Sequence, residues 1–372
     1  MYKLILTYLP YAFVLILVGS FVLPCRLKTR AQAIWCMLLL ACASKFVCFE
    51  AFGGDAFAPE LPEKFIWFWN WAYSGMCLLV PLSLVWLVVT RRRRPRLGLY
   101  ILPLIAWSLS ARGLYNGIKV PDLVEREIVC ENLPASLDGY TVLQLSDLHV
   151  SAAARKWRTE AAVAKANDVG ADLIVVTGDL VDGHPVRQAR NLEPIRELKA
   201  KDGVLFCDGN HEYYFDYAGW HRTFDRWGLR FLRNEWTSPR PGLVVAGVTD
   251  TACRSKGGSF PPDVDQSFDG APEDAFRLLL QHRPSINWEK CGLTTPEARF
   301  DLQLSGHTHG GVAPILNALV RHANAGLLRG LYGDAGGIRV HVSPGTGQWA
   351  GFPIRFFDDP EITLLRLRCK KE

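Results

Sequence analysis

The stretch Leu143-Gln144-Leu145-Ser146-Asp147-Leu148-His149 decides the fold. It is an apolar, strand-like run that ends by delivering an aspartate and a histidine. Four later segments have the same build: Val175-Val-Thr-Gly-Asp179, Phe206-Cys-Asp-Gly-Asn210-His211-Glu212, Leu279-Leu-Gln-His282 and Leu304-Ser-Gly-His307-Thr-His309. In layered α/β folds, ligands bind beyond the C-terminal ends of strands, where loops from separate strands converge. Singly the motifs are weak, since Asp-x-His can cap a helix and Gly178-Asp179 is a common turn. Gly209-Asn-His-Glu and Gly306-His-Thr-His are more specific. The conjunction is strong: five of the nine histidines fall in these segments, each behind an apolar run.

These residue types suit a two-metal phosphoester site. A phosphoester is anionic and repels hydroxide. Two divalent ions ~3.5–4 Å apart neutralise its oxygens and generate a nucleophile by lowering the pKa of a bridging water. A bridging carboxylate is required, and Asp179 is the natural candidate. Imidazoles favour Mn, Fe or Zn over Mg or Ca. Asn210 adds a neutral carbonyl ligand, which leaves His211 as a donor near the leaving oxygen. Other residues take plainer readings. His184 is as readily a loop residue as a site residue, and His221, His322 and His341 lack ligand spacing. Asp182 and Glu212 either orient a histidine ligand or serve as surface or capping groups. Asp208 belongs to its turn, Tyr213-Tyr214 borders the cleft or packs, and Arg254 and Lys256 read as a solvated loop.

The 49% hydrophobic content of the 372 residues is unevenly spread. Four apolar stretches, Leu4–Leu23, Ala31–Phe49, Phe65–Thr90 and Leu97–Tyr115, each approach the ~20 residues that cross a hydrocarbon core. Arg112 and Lys45, near span ends, are expected to snorkel to the interface. Only Lys3 precedes the first stretch and Pro24-Cys-Arg follows it, which argues against a cleaved signal peptide. Arg26, Lys28 and Arg30 follow span one, and Arg91-Arg-Arg-Arg94-Pro-Arg96 follows span three. With four spans, the positive-inside rule leaves the C-terminal domain extracytoplasmic, on a multi-pass protein of the cytoplasmic (inner) membrane. Trp67, Trp69, Trp71 and Tyr73 fit an interfacial belt. The net charge of +5, much of it in one arginine block, gives no reason to expect nucleic acid as a partner. Ten scattered cysteines without a paired C-x-x-C read as free thiols.

The expected organisation is a transmembrane region over 1–116, a linker over 117–136 around Val120-Pro-Asp122, and a catalytic domain over 137–372. Strands are expected at Thr141–Leu145, Leu173–Val176, Val204–Cys207, Val244–Val248, Leu302–Leu304, Ile338–Ser343 and Glu361–Arg366. Helices are expected at Ala154–Val169, Val186–Ala200, Tyr217–Trp227 and Ala271–Leu279. Strand–helix alternation followed by a strand-rich half indicates a layered α/β fold.

The order Asp147-x-His149, Gly178-Asp179, Gly209-Asn210-His211-Glu212, His282 and Gly306-His307-Thr308-His309 resembles the calcineurin-like metallophosphoesterase superfamily. Gln144-Leu-Ser-Asp-Leu-His, Ser305-Gly-His-Thr-His-Gly-Gly311 and Ser343-Pro-Gly-Thr-Gly347-Gln-Trp resemble its bacterial membrane-associated branch. The resemblance implies a four-layer α/β/β/α sandwich, here preceded by an α-helical transmembrane region. It implies one metal held by Asp147, His149, Asp179 and His309, and a second by Asp179, Asn210, His282 and His307. His211 would be the phosphate-contacting general acid. The expected function is a membrane-anchored phosphoesterase with two divalent ions, Mn foremost and Fe or Zn as alternatives. It would cleave a phosphodiester, monoester or pyrophosphate bond by in-line attack, with a lipid-linked phosphoester among the candidate substrates. One rival is a cytoplasm-facing pyrophosphatase for a nucleotide-linked lipid of the UDP-diacylglucosamine kind. Two others, from different classes, are a non-catalytic sensor or scaffold for a phosphorylated ligand and a transporter with an accessory domain. Sequence leaves the oligomeric state open.

Overall fold

The computed structural model describes residues 2–25, 27–90, 97–256, 260–284, 300–313, 316–333 and 339–370. The Arg91–Arg96 block, Arg26, Cys291 and Ile338 lie outside the described residues, as does the Lys256 side chain. The chain divides into two compact units. One is Met1–Ile118 with Ala350–Phe356; the other is Lys119–Trp349 with Phe357–Glu372.

The N-terminal unit is helical: α1 (Tyr2–Leu17), α2 (Thr29–Ala43), α3 (Lys45–Gly53), α4 (Glu63–Val89) and α5 (Gly98–Ile118). Of the four expected spans, two are long and apolar enough to cross a membrane, Thr7–Cys25 and Glu63–Val89. The second expected span is α2 and α3 bent by 52° between them, and would make a third if the pair crosses as one. Ser44 sits at the bend and returns its hydroxyl to Leu40 O at 2.8 Å, a back-bond that bends helices. The fourth, α5, is helical as expected but is less apolar than the other two. One reason is that it hosts backbone. A Cβ on Gly117 would collide with the carbonyl of Pro353, and Gly113 O accepts from Arg355 N at 2.9 Å. Small residues there admit the returning segment Ala350–Phe356, which the sequence reading placed wholly in the catalytic domain.

Lys45 does not snorkel. It is fully buried, and its Nζ donates to Asn70 Oδ1 at 2.7 Å and to Gly351 O at 2.5 Å. The ammonium also lies 4.2 Å from the Phe46 ring centroid and 4.8 Å from that of Tyr73, within cation–π range. A buried polar group is costly unless it is hydrogen-bonded, and these acceptors satisfy it.

The other unit is built on two six-stranded sheets. Its strands and principal helices run β1 (Asp122–Cys130), β2 (Thr141–Leu145), α6 (Lys156–Val169), β3 (Leu173–Thr177), α7 (Pro185–Leu192), β4 (Val204–Cys207), α8 (Asn210–Tyr214), α9 (Tyr217–Trp227), β5 (Arg230–Phe231), β6 (Glu235–Arg240), β7 (Leu243–Gly247), β8 (Phe276–Leu280), β9 (Leu302–Ser305), β10 (Gly330–Gly333), β11 (Arg339–Val342) and β12 (Glu361–Cys369). The sheet orders are β1-β12-β2-β3-β4-β5 and β10-β11-β9-β8-β7-β6. β2 to β5 are parallel, as are β7, β8, β9 and β11.

Side-chain alternation splits each strand between two cores. Val142, Leu173, Val175 and Leu205 of the first sheet meet Leu243, Val245, Leu278 and Leu304 of the second in the central core. Leu143, Ile174, Val176 and Phe206 face outward onto Ala162, Leu192, Trp220 and Phe224 of the helices. Val244, Ala246 and Leu279 cover the opposite face with Val264 and Phe268. The result is the expected α/β/β/α sandwich. Burial on both faces explains why these strands read as unbroken apolar runs.

Three elements differ from expectation. Ala271–Leu279, expected as a helix, instead leads into strand β8, pinned between β7 and β9. A short apolar run is ambiguous between buried strand and buried helix until its neighbours are known. The segment 117–136, expected as a linker, holds β1, paired residue by residue with β12 from Asp122↔Glu361 to Cys130↔Cys369. Its polar side chains face solvent at the sheet edge, which hid it. The helix expected over Val186–Ala200 ends at Leu192 and tightens to a 3-10 turn over Glu193–Glu197, where Pro194 lacks the donor an α-helix needs.

Candidate metal centre

Each chemical side chain leaves the end of a strand. β2 delivers Asp147 and His149, β3 Asp179, β4 Asn210 at the start of α8, β8 His282, and β9 His307 and His309. Parallel neighbours place all these ends at one edge. The turns are tight: Asp147, His149, Asp179, His307 and His309 all have positive φ, between 46° and 71°. Non-glycine residues enter this left-handed region at a cost, and such strain collects at functional sites.

The loops are sewn together by backbone. Asp147 N donates to Gly178 O (3.0 Å), His149 N to Asp179 O (3.0 Å), Gly306 N to His282 O (2.9 Å) and Gly347 N to Asp147 O (2.8 Å). Glu212 accepts from Gly209 N, Asp179 N and Leu180 N at 2.7, 3.1 and 2.6 Å, tying the β3 and β4 loops together. Of its two sequence readings, the capping one is correct, extended across two loops. Glycine is required where the loops touch: a Cβ on Gly306 would overlap Ser146 Oγ and Asp147 Oδ2.

The side chains form three groups with ligand atoms close enough to share an ion: Asp147, His149 and His309; His149, Asp179 and His211; and Asp179, His282 and His307. His149 Nε2 and His309 Nε2 face each other at 3.1 Å, while His149 Nδ1 is committed to Asp182 Oδ1 at 2.9 Å. Asp147 Oδ1 is 3.5 Å from His309 Nε2. Asp179 Oδ2 lies 3.6 Å from His149 Nε2 on one side and 3.1 Å from His282 Nε2 on the other. One carboxylate oxygen thus serves two groups. The donor set fits cations: Asn210 Oδ1 is buried yet makes no hydrogen bond among the described residues. Buried acceptors left so are costly unless an ion completes them. The Asp/His clusters form a candidate two-metal centre.

Electrostatics follow from burial and proximity. Asp182 joins His149 Nδ1 and His211 Nδ1, the latter at 2.6 Å. Burial would raise its carboxyl, but the two imidazoles hold it well below the usual carboxylate range. This is the orienting role, one of its two sequence readings. Burial alone would lower His211, yet Asp179 and Asp182 push it up to about 9. Burial likewise opposes His282, and Asp179 then Asp147 push it up to about 10. Burial and then the Arg283 guanidinium hold His307 well below the ordinary histidine value, hence neutral.

A pH dependence follows. Below pH about 10, metal-free His282 carries a proton, which it must lose if it is to ligate an ion. Metal binding is therefore expected to release about one proton from His282 at neutral pH, and affinity to fall ~tenfold per unit as pH drops. Calorimetric titration of Mn²⁺ in buffers of different ionisation heat checks this. Proton-neutral binding would contradict it.

Residues set aside by sequence go elsewhere. His184 and His322 are exposed. His341 is fully buried, its Nδ1 2.8 Å from Gln144 Oε1. Gln144 also donates to Thr177 Oγ1 and Ser305 O, both at 2.9 Å, which stitches the two sheets beneath the site. His221 and Asp208 pair at 3.1 Å, and Asp208 accepts from Tyr213 and Tyr217 hydroxyls at 3.0 and 3.2 Å. Asp208 is thus a buried brace for the Asn210 loop rather than a turn residue, and burial pushes its carboxyl up to about 6. Tyr213 packs against Tyr217, while Tyr214 stays half exposed beside His211. Arg254 is exposed. Sequence reading missed Arg283 and Asp250, which pair at 2.9 Å beside His307. The only local signal was a cation directly after a candidate ligand histidine.

Residues 140–311 match the family model for the calcineurin-like phosphoesterase domain. An uncharacterized metallophosphoesterase of Helicobacter pylori (strain ATCC 700392 / 26695) is 32% identical over 261 residues, covering 70% of this chain and 68% of the relative. The chain belongs to the calcineurin-like metallophosphoesterases. The metallophosphoesterase domain accounts for the site: it is that of a metal-dependent phosphoesterase. A transmembrane protein with metallophosphoesterase domain from Danio rerio is 31% identical over 275 residues, covering 71% of this chain and 61% of that protein. The chain thus spans less than two thirds of that relative's length. The Bacillus subtilis metallophosphoesterase YkuE is 27% identical over 280 residues, covering 71% of this chain and 93% of that one. Relatives of this metallophosphoesterase occur in both bacteria and animals. The transmembrane relative from Danio rerio and this chain's own apolar helices suggest membrane association.

Proposed function

We propose that the protein is a membrane-anchored phosphoesterase with a two-metal centre. Asp147, His149, Asp179 and His309 would hold one ion, and Asp179, Asn210, His282 and His307 the other. The position of Asp179 Oδ2 between His149 and His282 carries this reading. Bound there, the two ions would supply Lewis acidity toward the phosphate and a water of lowered pKa. The chain's own residues do the rest. Asp182 fixes the rings of His149 and His211. His211, its side chain 18% exposed where those of His149 and His282 are fully buried, faces the solvent side. Held protonated by Asp179 and Asp182, it donates to the leaving oxygen.

A membrane tether confines the enzyme to an interface, which supports a lipid-linked phosphoester or pyrophosphate as substrate. We place the catalytic unit outside the cytoplasmic membrane. The 21-residue α5 is long enough to cross at 1.5 Å per residue, and the arginine block precedes it. A second reading has a specific observation behind it. α5 is less apolar than α1 and α4, and if it does not cross, the catalytic unit shares the arginine block's side. A cytoplasm-facing pyrophosphatase for nucleotide-linked lipids then leads.

The test is Mn²⁺-dependent hydrolysis of aryl phosphomonoesters and diesters by purified protein, beside lipid-bearing esters. Equal turnover of soluble and lipid-bearing esters removes the lipid assignment, and no turnover of any ester removes the enzyme reading in favour of a sensor. Export-dependent and cytoplasm-only reporters fused after Glu372 decide the side.

A further inference from the structure

We propose that Arg283 is a substrate-phosphate contact that favours dianionic phosphomonoesters over monoanionic diesters. This rests on the phosphoesterase reading above and extends it to a residue outside the ligand set. Arg283 follows His282 directly, and its Nε is held by Asp250, at 2.9 Å from Oδ2 and 3.2 Å from Oδ1. Asp250 is itself buried and fixed by Ala252 N at 2.7 Å. The anchor points the guanidinium at the site: Nη1 is 3.4 Å from His307 Nε2. Tyr214 also hydrogen-bonds Arg283, and its ring lies 5.1 Å from that of His211.

Exposure rises toward this side of the site, where His307 is also partly exposed. Side-chain exposure is 32% for Arg283 and 18% for His211, against 2% or less for Asp147, His149, Asp179 and His282. His211, Tyr214 and Arg283 therefore form the solvent-side rim through which a substrate reaches the centre.

Asp250 engages Nε, and the guanidinium has further N–H donors on the side of His307 that a bound anion can use. With ions at the centre, Arg283 is repelled by them. A phosphate whose oxygens meet both the centre and the guanidinium turns that repulsion into attraction. A guanidinium fork matches two non-bridging oxygens, and its charge matters most when the phosphate keeps a second negative charge.

The test uses the full-length protein and the variants Arg283→Met, Arg283→Lys and Asp250→Asn. Metal content, unfolding temperature, inorganic-phosphate affinity by calorimetry, and kcat and KM on an aryl monoester and an aryl diester are read together. Arg283→Met is expected to keep its metals and weaken phosphate binding on the order of 10- to 100-fold, as loss of charge-assisted hydrogen bonds does. Monoester KM should rise more than kcat falls, and the monoester-over-diester ratio of kcat/KM should drop about tenfold. Arg283→Lys should restore part of the affinity, and Asp250→Asn should move it the same way as Arg283→Met. Unchanged phosphate affinity in Arg283→Met overturns the proposal. So does loss of metal in that variant, which would make Arg283 a support for His307. If wild type cleaves neither ester, the phosphoesterase reading falls while inorganic-phosphate affinity still decides on Arg283.

Discussion

The Asp179→Asn protein is expected to fold normally and lose both its metal stoichiometry and its activity. Asparagine has the same shape, and its Oδ1 can still accept from His211 N as Asp179 Oδ1 does at 2.8 Å. The change is electrostatic. Oδ2, which lies between His149 and His282, becomes an amide nitrogen that points protons at two imidazole nitrogens. An ion on either side then loses its shared anion and faces a donor instead of an acceptor. Metal content should fall from two ions per chain to one or none. Activity on an aryl phosphoester should drop by at least ~10³-fold, the scale on which one group aimed at transition-state charge already acts. Elemental analysis after gel filtration, together with kcat/KM, checks both. A variant that kept two ions and full Mn²⁺-dependent turnover would remove Asp179 from the bridging position.

His211→Gln is expected to separate proton donation from metal binding. His211 lies within ligand distance of His149 and Asp179, so geometry alone permits it as a ligand. Its Nδ1 bond to Asp182 and its solvent-side exposure support the acid role instead. The variant should hold two ions and lose ~10²- to 10⁴-fold in kcat, the usual range for a positioned general acid. The pH profile adds a second readout. Burial lowers His211, while Asp179 and Asp182 push it up to about 9 in the metal-free protein. Ions on Asp179 offset part of that push. Wild-type activity should therefore fall as pH rises through a value at or below about 9, where the acid loses its proton. This alkaline limb should vanish in His211→Gln. Loss of one ion in that variant would move His211 into the ligand set.

Sequence reading picked out the candidate site residues because strand ends leave a local signature. A strand buried on both faces is an apolar run, and the residue that ends it is polar because it serves chemistry rather than packing. Asp147, His149, Asp179, Asn210, His211, His282, His307 and His309 could all be picked out in this way, and the structure gathers them at one edge of two sheets. Roles that depend on residues distant in sequence could not be read so. Glu212 was legible as a cap, yet it binds the Asp179 loop, 33 residues away. Gln144 sits inside an apolar run, and its hydrogen bonds to β3, β9 and β11 come from residues distant in sequence. Lys45 looked like a snorkelling residue because Asn70 and Gly351 are far along the chain.

The sequence by itself determined the layer class, the strand ends and the donor types, because periodicity and ligand chemistry are local. Tertiary structure decided that β1 is a strand, that β8 is not a helix, and that Ala350–Phe356 leaves the catalytic unit. It also decided which oxygen of Asp179, the carboxylate the sequence already offered as a bridge, lies between His149 and His282. The physical reason is common to all of these. Edge pairing, two-sided burial and a shared ligand are properties of neighbours that only folding brings together.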